Sequence, residues 1–219
     1  MPSAATGMTA DQAAGLRRRQ ATRPLSPIHL LSESPSAGHR LLDALARRGL
    51  GTLLIDTQDR HVGHAARSLF DWRQQLARGH LQTLALPGGD GWHAPGIDAA
   101  APELAALATR YDCLVFDYPL AAGGTAVMPV AGHTLVLDVA QPGLRPAYRL
   151  LKTLAHHGCD VDLLLLGDAA ACAHLVAACQ QFLGASFAQK LGSLAHEADA
   201  FAALAVRMAG EETGPRAVV

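Results

Sequence analysis

Apolar residues in this chain fall into short unbroken runs, and the runs alternate with segments of helical period. Ile28-His29-Leu30-Leu31 is the first strand candidate. The segment 37–48 follows as a helix, with Leu41, Leu42 and Leu45 on one face and Gly49 and Gly51 ending it. Thr52-Leu53-Leu54-Ile55-Asp56 is a buried strand ending in a carboxylate, and Cys113-Leu114-Val115-Phe116-Asp117 repeats that pattern. Further strands are expected at 81–86, 133–139, 161–166 and, weakly, 190–194. Helices are expected at 63–78, 99–110, 143–157, 169–182 and 198–208. Leu144, Tyr148, Leu151 and Leu154 recur at spacings of three and four in the fourth of these six helices.

Strands that are continuously apolar, rather than alternating, are strands covered on both faces. Strands and helices in strict alternation therefore predict a doubly wound, mostly parallel sheet in a three-layer α/β/α sandwich. This body covers residues 28–209, with no internal repeat and no second-domain boundary. Residues 1–27 form a polar arm, in which a short helix is expected at about 9–20, capped by Thr9 or Asp11 and ending in Arg17, Arg18 and Arg19. Pro24 and Pro27 separate the arm from the body. Residues 210–219 read as a disordered tail.

Composition narrows the function classes. Half of the 219 residues are hydrophobic, 17% are charged and the net charge is −1. A core can form, but no basic field suits nucleic acid or an anionic membrane. The four cysteines, at 113, 159, 172 and 179, form no C-x-x-C pair and read as reduced core thiols. No signal peptide or membrane span is recognisable, so the expected location is the cytoplasm.

Ligands of an open parallel sheet bind beyond the carboxyl ends of its strands. A phosphate site there needs glycines, so that backbone N–H groups can wrap the anion, and a lysine to reach the outer phosphates. The turn after the first strand reads Ser32-Glu33-Ser34-Pro35-Ser36-Ala37-Gly38-His39-Arg40. Its proline removes an N–H, Glu33 repels phosphate, and the first 151 residues contain no lysine. The turn reads as an ordinary structural connection; Ser34, Ser36, Arg40, Asp56 and Asp117 are the residues that would line a nucleotide site there, vestigial if the chain descends from a nucleotide-binding family. Asp56 and Asp117 either position magnesium and water or cap local structure.

Asp56, Asp59, His61 and His64 lie close in sequence, but His61 and His64 lack the spacing of a zincin pair, and no metal site is expected. His156 and His157 suit a helix C-terminus. The serines at 32, 34 and 36 form no nucleophile elbow, and Gly123-Gly124-Thr125 is a weak phosphate signal.

The segment Asp11-Gln12-Ala13-Ala14-Gly15-Leu16-Arg17-Arg18 resembles the N-terminal Asp-Gln motif of flagellar-number regulators of the MinD/ParA class, the FlhG or FleN type. Body segments follow in the family's order. They are Ala46-Arg47-Arg48-Gly49, Leu53-Leu54-Ile55-Asp56, Leu86-Pro87-Gly88-Gly89-Asp90-Gly91 and Tyr111 through Asp117. Pro142 with Ala147-Tyr148, Leu151-Lys152 and Leu154 comes next, and Phe182-Leu183-Gly184 closes the series. The resemblance spans residues 11–209. It implies a P-loop ATPase body and an arm that stimulates a signal-recognition-type flagellar GTPase. Asp11, Gln12, Leu16 and Arg17 would be the partner-binding residues, with Asp56 and Asp117 at the switch carboxylates.

This chain departs from the family at its phosphate loop, at Gln58 where a second aspartate is usual, and at a tail without an amphipathic membrane helix. The expectation is a MinD-like pseudo-ATPase with no cofactor and no direct membrane anchor. It would work with the GTPase, and with flagellar basal-body or regulatory proteins, at the cell pole or flagellar site. One alternative is a divergent ATPase that binds ATP and magnesium through Arg40, Asp56 and Asp117. Another is an accessory module of a different cell-envelope system, such as cellulose synthesis.

Overall fold

A computed structural model of the chain describes residues 25–57, 68–78, 82–85, 110–120, 132–158 and 161–210. Within them the apolar runs lie side by side in one sheet. The strands are β1 (Ser26–Ser32), β2 (Thr52–Asp56), β3 (Thr83–Ala85), β4 (Cys113–Tyr118), β5 (Thr134–Val139), β6 (Asp162–Gly167) and β7 (Leu191–Ser193). Their order is β3-β2-β4-β1-β5-β6-β7, and every pairing is parallel.

The helices are α1 (Ala37–Arg47), α2 (Leu69–Arg78), α3 (Leu144–His157), α4 (Ala169–Phe182), the one-turn α5 (Ala185–Ala188) and α6 (Ala200–Met208). Residues alternate between the faces of a strand, and that alternation divides the core in two. Ile28, Leu30, Leu54, Val115 and Val136 point to α1 and α6, where they meet Leu41, Leu45, Phe201 and Leu204. Leu31, Ile55, Phe116, Leu137 and Leu165 point the other way, to Trp72 and Leu76 of α2, Leu150 and Leu154 of α3, and Leu175 of α4. The architecture is thus the three-layer α/β/α sandwich expected from unbroken apolar strands. Each fully buried Leu or Ile contributes about 1.5–3 kcal/mol, so the apolar layers hold the sheet ends in place.

Pro27 lies within β1, opposite Leu114, so the body starts at Ser26 and Pro27 is not a separator. Its missing N–H is harmless there. Ser26 N–H donates to Asp112 O on the β4 side at 3.0 Å. Alternation then aims the Pro27 nitrogen at the other neighbour, where pairing with β5 begins only at Ile28.

Local chemistry sets the helix ends. Ser68 Oγ accepts the Asp71 N–H at 3.1 Å ahead of α2. Gly158, with φ of 63°, closes α3 in the left-handed conformation. His156 and His157 sit in that last turn, their Nδ1 atoms 2.7 and 2.8 Å from the carbonyls of Lys152 and Thr153. Asp199 caps α6 by accepting from Ala202 N–H at 3.0 Å, and Arg207 anchors its far end, its Nη2 donating to both carboxylate oxygens of Asp162 at 3.0 and 2.9 Å. Among the described residues, no helix is long and apolar enough to cross a membrane.

Candidate functional site

The sheet order places the chain reversal at its centre. From β1 the chain passes outward to β2 and β3; from β5 it passes the other way to β6 and β7. The carboxyl ends of β4, β1 and β5 therefore border the crevice in which parallel-sheet proteins bind ligands.

Four polar side chains stand on the α1 side of these ends. Asp56 and Asp117 follow Leu54 and Val115 by two residues and share their face; both carboxylates are fully buried. Their Cα atoms are register partners across β2 and β4. Thr57 ties the two strand ends together: its hydroxyl donates to Asp117 O at 2.5 Å and its N–H approaches the same oxygen at 3.3 Å. Ser32 and Asp138 form the second register pair, across β1 and β5. Ser32 Oγ donates to Asp138 Oδ2 at 2.7 Å.

Several polar groups of the β1–α1 turn bond within it. Ser34 N–H donates to Ser32 Oγ at 2.9 Å, and Pro35 has no N–H. Ala37 N–H donates to Ser34 O at 3.2 Å and Arg40 N–H to Ser36 O at 3.0 Å. Ser34 and Ser36 face each other, Oγ to Oγ at 3.0 Å. Arg40 does not turn toward the carboxylates. Its guanidinium carbon lies 4.4 Å from the centroid of the Phe201 ring, a cation–π contact that joins α1 to α6. A serine-rich turn with one proline thus closes on itself, and its cation serves helix packing.

The same edge continues to β6. Gly167 has φ of 98°, and a Cβ there would collide with the Val139 carbonyl and stand 2.9 Å from Asp138 Oδ1. Asp168 caps α4 by accepting from Ala171 N–H at 2.7 Å. Cys172 lies below, its Sγ 3.2 Å from Leu166 O. Burial first, then the Asp168 and Asp138 carboxylates, push this thiol up to about 11. Burial alone pushes Cys179 up to about 11. Both stay protonated near neutrality and are poor nucleophiles or metal ligands. Cys113 is likewise buried and in no disulfide, so these three match the expectation of core thiols; Cys159 lies outside the described residues.

On the opposite face, His29 is only 3% exposed and His133 only 7%. His29 Nε2 lies 2.8 Å from His133 Nδ1, so the rings hold complementary tautomers. His29 also stacks on Phe116 and Tyr118, at centroid distances of 5.0 and 6.0 Å. Burial lowers His133 below the usual histidine range and raises the Tyr118 phenol. The buried Tyr118 hydroxyl has no hydrogen-bond partner among the described residues.

The structure thus brings together Asp56, Asp117 and the serine turn, and diverts Arg40. No group of three histidine, cysteine or acidic side chains able to hold a metal occurs among the described residues. Asp11, Gln12, Leu16 and Arg17 lie outside the described residues, as do Gln58, Asp59, His61, His64, the 87–91 turn and Gly123-Gly124-Thr125. Sequence reasoning missed Asp138, although Leu135-Val136-Leu137-Asp138 shows the same apolar run followed by aspartate as β2 and β4. It also missed the pairing of His29 with His133.

No family model and no curated protein matches the chain.

Proposed function

We propose that this protein is a MinD/ParA-like regulator of flagellar assembly that works without ATP, through its N-terminal arm, on a signal-recognition-type flagellar GTPase. The observation supporting a body without ATP turnover is the internal bonding of the β1–α1 turn. The turn has one proline, an acidic residue, and a Ser34 N–H already given to Ser32. A triphosphate needs several convergent N–H groups and a cation at that place. Arg40, the nearest arginine in sequence, is committed to Phe201.

Support for the partner comes from the arm's Asp-Gln motif and from the order of the body segments, as set out above. In this reading Asp11, Gln12, Leu16 and Arg17 dock on the GTPase. Gln12 orders the attacking water or the switch loops, as residues supplied in trans do in other GTPases. The body is a scaffold that presents the arm, in the cytoplasm and at the cell pole or flagellar site.

The test is GTP hydrolysis by the flagellar GTPase of the same organism. Measurements are made with the full chain, with a peptide of residues 8–20, and with each carrying Gln12→Ala. Stimulation by both, lost on substitution, is the expected result. Unchanged GTP turnover rejects the proposal. The divergent-ATPase reading keeps one favourable observation, the register pairing of Asp56 with Asp117. It requires Mg-ATP binding at micromolar Kd that Asp117→Ala abolishes.

A further inference from the structure

We propose that Asp138 is an internal anion that holds the β1–α1 turn closed in place of a bound nucleotide. Three linked features bear on its carboxylate. Ser32, 1% exposed, donates its hydroxyl to Oδ2 at 2.7 Å. The same hydroxyl oxygen accepts the Ser34 N–H at 2.9 Å, so a turn amide is linked to the carboxylate through one serine. Such relayed bonds to an ionised acceptor are stronger than neutral ones. From the other side, Gly167 leaves room for the carboxylate: a side chain there would press on Oδ1. The β1–β5 register places Ser32 opposite Asp138, so the bond needs no strand distortion.

The consequence is regulatory. A turn that a nucleotide orders switches between two states as the nucleotide comes and goes. A turn ordered by its own sheet stays in one state, so α1 and the α6 helix packed on it do not report nucleotide. This inference rests on the reading of the body as independent of ATP and extends it from lost hydrolysis to a fixed conformation.

The experiment is amide hydrogen exchange on the full chain, resolved over residues 33–40. It compares the natural protein, Ser32→Ala, Asp138→Ala and Asp138→Asn, each with and without millimolar Mg-ATP. The natural protein is expected to show a protected turn that Mg-ATP leaves unchanged. Ser32→Ala and Asp138→Ala are expected to speed exchange of the turn amides roughly tenfold or more, the effect of losing one charge-assisted bond, with β4 and β6 amides unaltered. Asp138→Asn keeps an acceptor and falls between them and the natural protein.

Unchanged turn exchange in both alanine variants overturns the proposal. So does added protection of the natural turn by Mg-ATP. A variant that exchanges faster everywhere is only destabilised; Asp138→Asn then decides, since selective opening of its turn supports the internal anion and protection equal to the natural protein rejects it. None of these readouts involves the GTPase. A failure of GTPase stimulation with the turn behaving as expected rejects the partner reading alone.

Discussion

On one face of the sheet β1 presents Ser32 to Asp138; on the other it presents His29 to His133. Both contacts span more than a hundred residues of sequence and both join β1 to the β5 side, yet they solve opposite problems. The first keeps a charge. Asp138 is half-buried at the rim, and its carboxylate accepts the Ser32 hydroxyl. The second excludes charge. Two buried imidazoles, stacked on each other and, through His29, on Phe116 and Tyr118, pair in complementary tautomers. The rim contact positions a turn; the interior contact specifies which strands pair. Removing the first should open a loop, and removing the second should loosen the core.

Four substitutions or conditions sharpen that contrast. The largest effect belongs to Gly167→Ala, which offends both the left-handed backbone and the Val139 carbonyl above Asp138. We expect about 3 kcal/mol or more of lost stability in urea unfolding, because backbone strain and overpacking add there. A loss below 1 kcal/mol would mean that the β6–α4 turn can move.

Next is the histidine pair. His29→Ala removes a buried ring and strands a polar nitrogen of its partner, for an expected loss of about 2–4 kcal/mol. Its pH signature has a defined sign. Burial lowers His133 from 6.5, so the unfolded chain takes up the proton first. The resulting stability is present in full above about 6.5 and declines as pH falls toward the lower folded value. Urea midpoints at pH 7.5 and 5.5 should differ in the natural protein, and differ less in His133→Gln. An equal difference in both would assign the acid sensitivity elsewhere.

Ser32→Ala should cost less globally, about 1–2 kcal/mol, since its effect is confined to the turn and one bond to a carboxylate. The smallest effect concerns the thiols. With Cys172 and Cys179 both pushed up to about 11, their alkylation in the folded chain at pH 8 should lag far behind that in urea, as read by mass spectrometry. Labelling of Cys172 at the unfolded rate would show that the rim near Asp138 opens readily.

Most of the architecture was legible in the sequence. Leu53-Leu54-Ile55 and Leu163-Leu164-Leu165 are apolar on both sides of the chain, and only a covered parallel sheet needs that. Strand β7 was legible though weak, because Leu191 is its only large apolar residue. The one-turn α5 was not, since four residues carry no helical period.

At the site, Asp56 and Asp117 were found from their strand-ending pattern, whereas Asp138 was passed over with the same pattern. Its meaning depends on β5 lying beside β1, and strand order is not written in local sequence. The same holds for His29, an unremarked residue of a strand until the fold sets it against His133. Arg40 fails in the opposite direction: its position beside the turn suggested a phosphate ligand, but Phe201, 161 positions further along the chain, claims its guanidinium.

The measurement that bears most directly on a body without nucleotide turnover is calorimetric titration of the full chain with Mg-ATP. We expect no binding heat up to millimolar nucleotide, and the same silence from Asp117→Ala. Micromolar binding by the natural protein, abolished in Asp117→Ala, would contradict it and restore the carboxylate edge as a working nucleotide site.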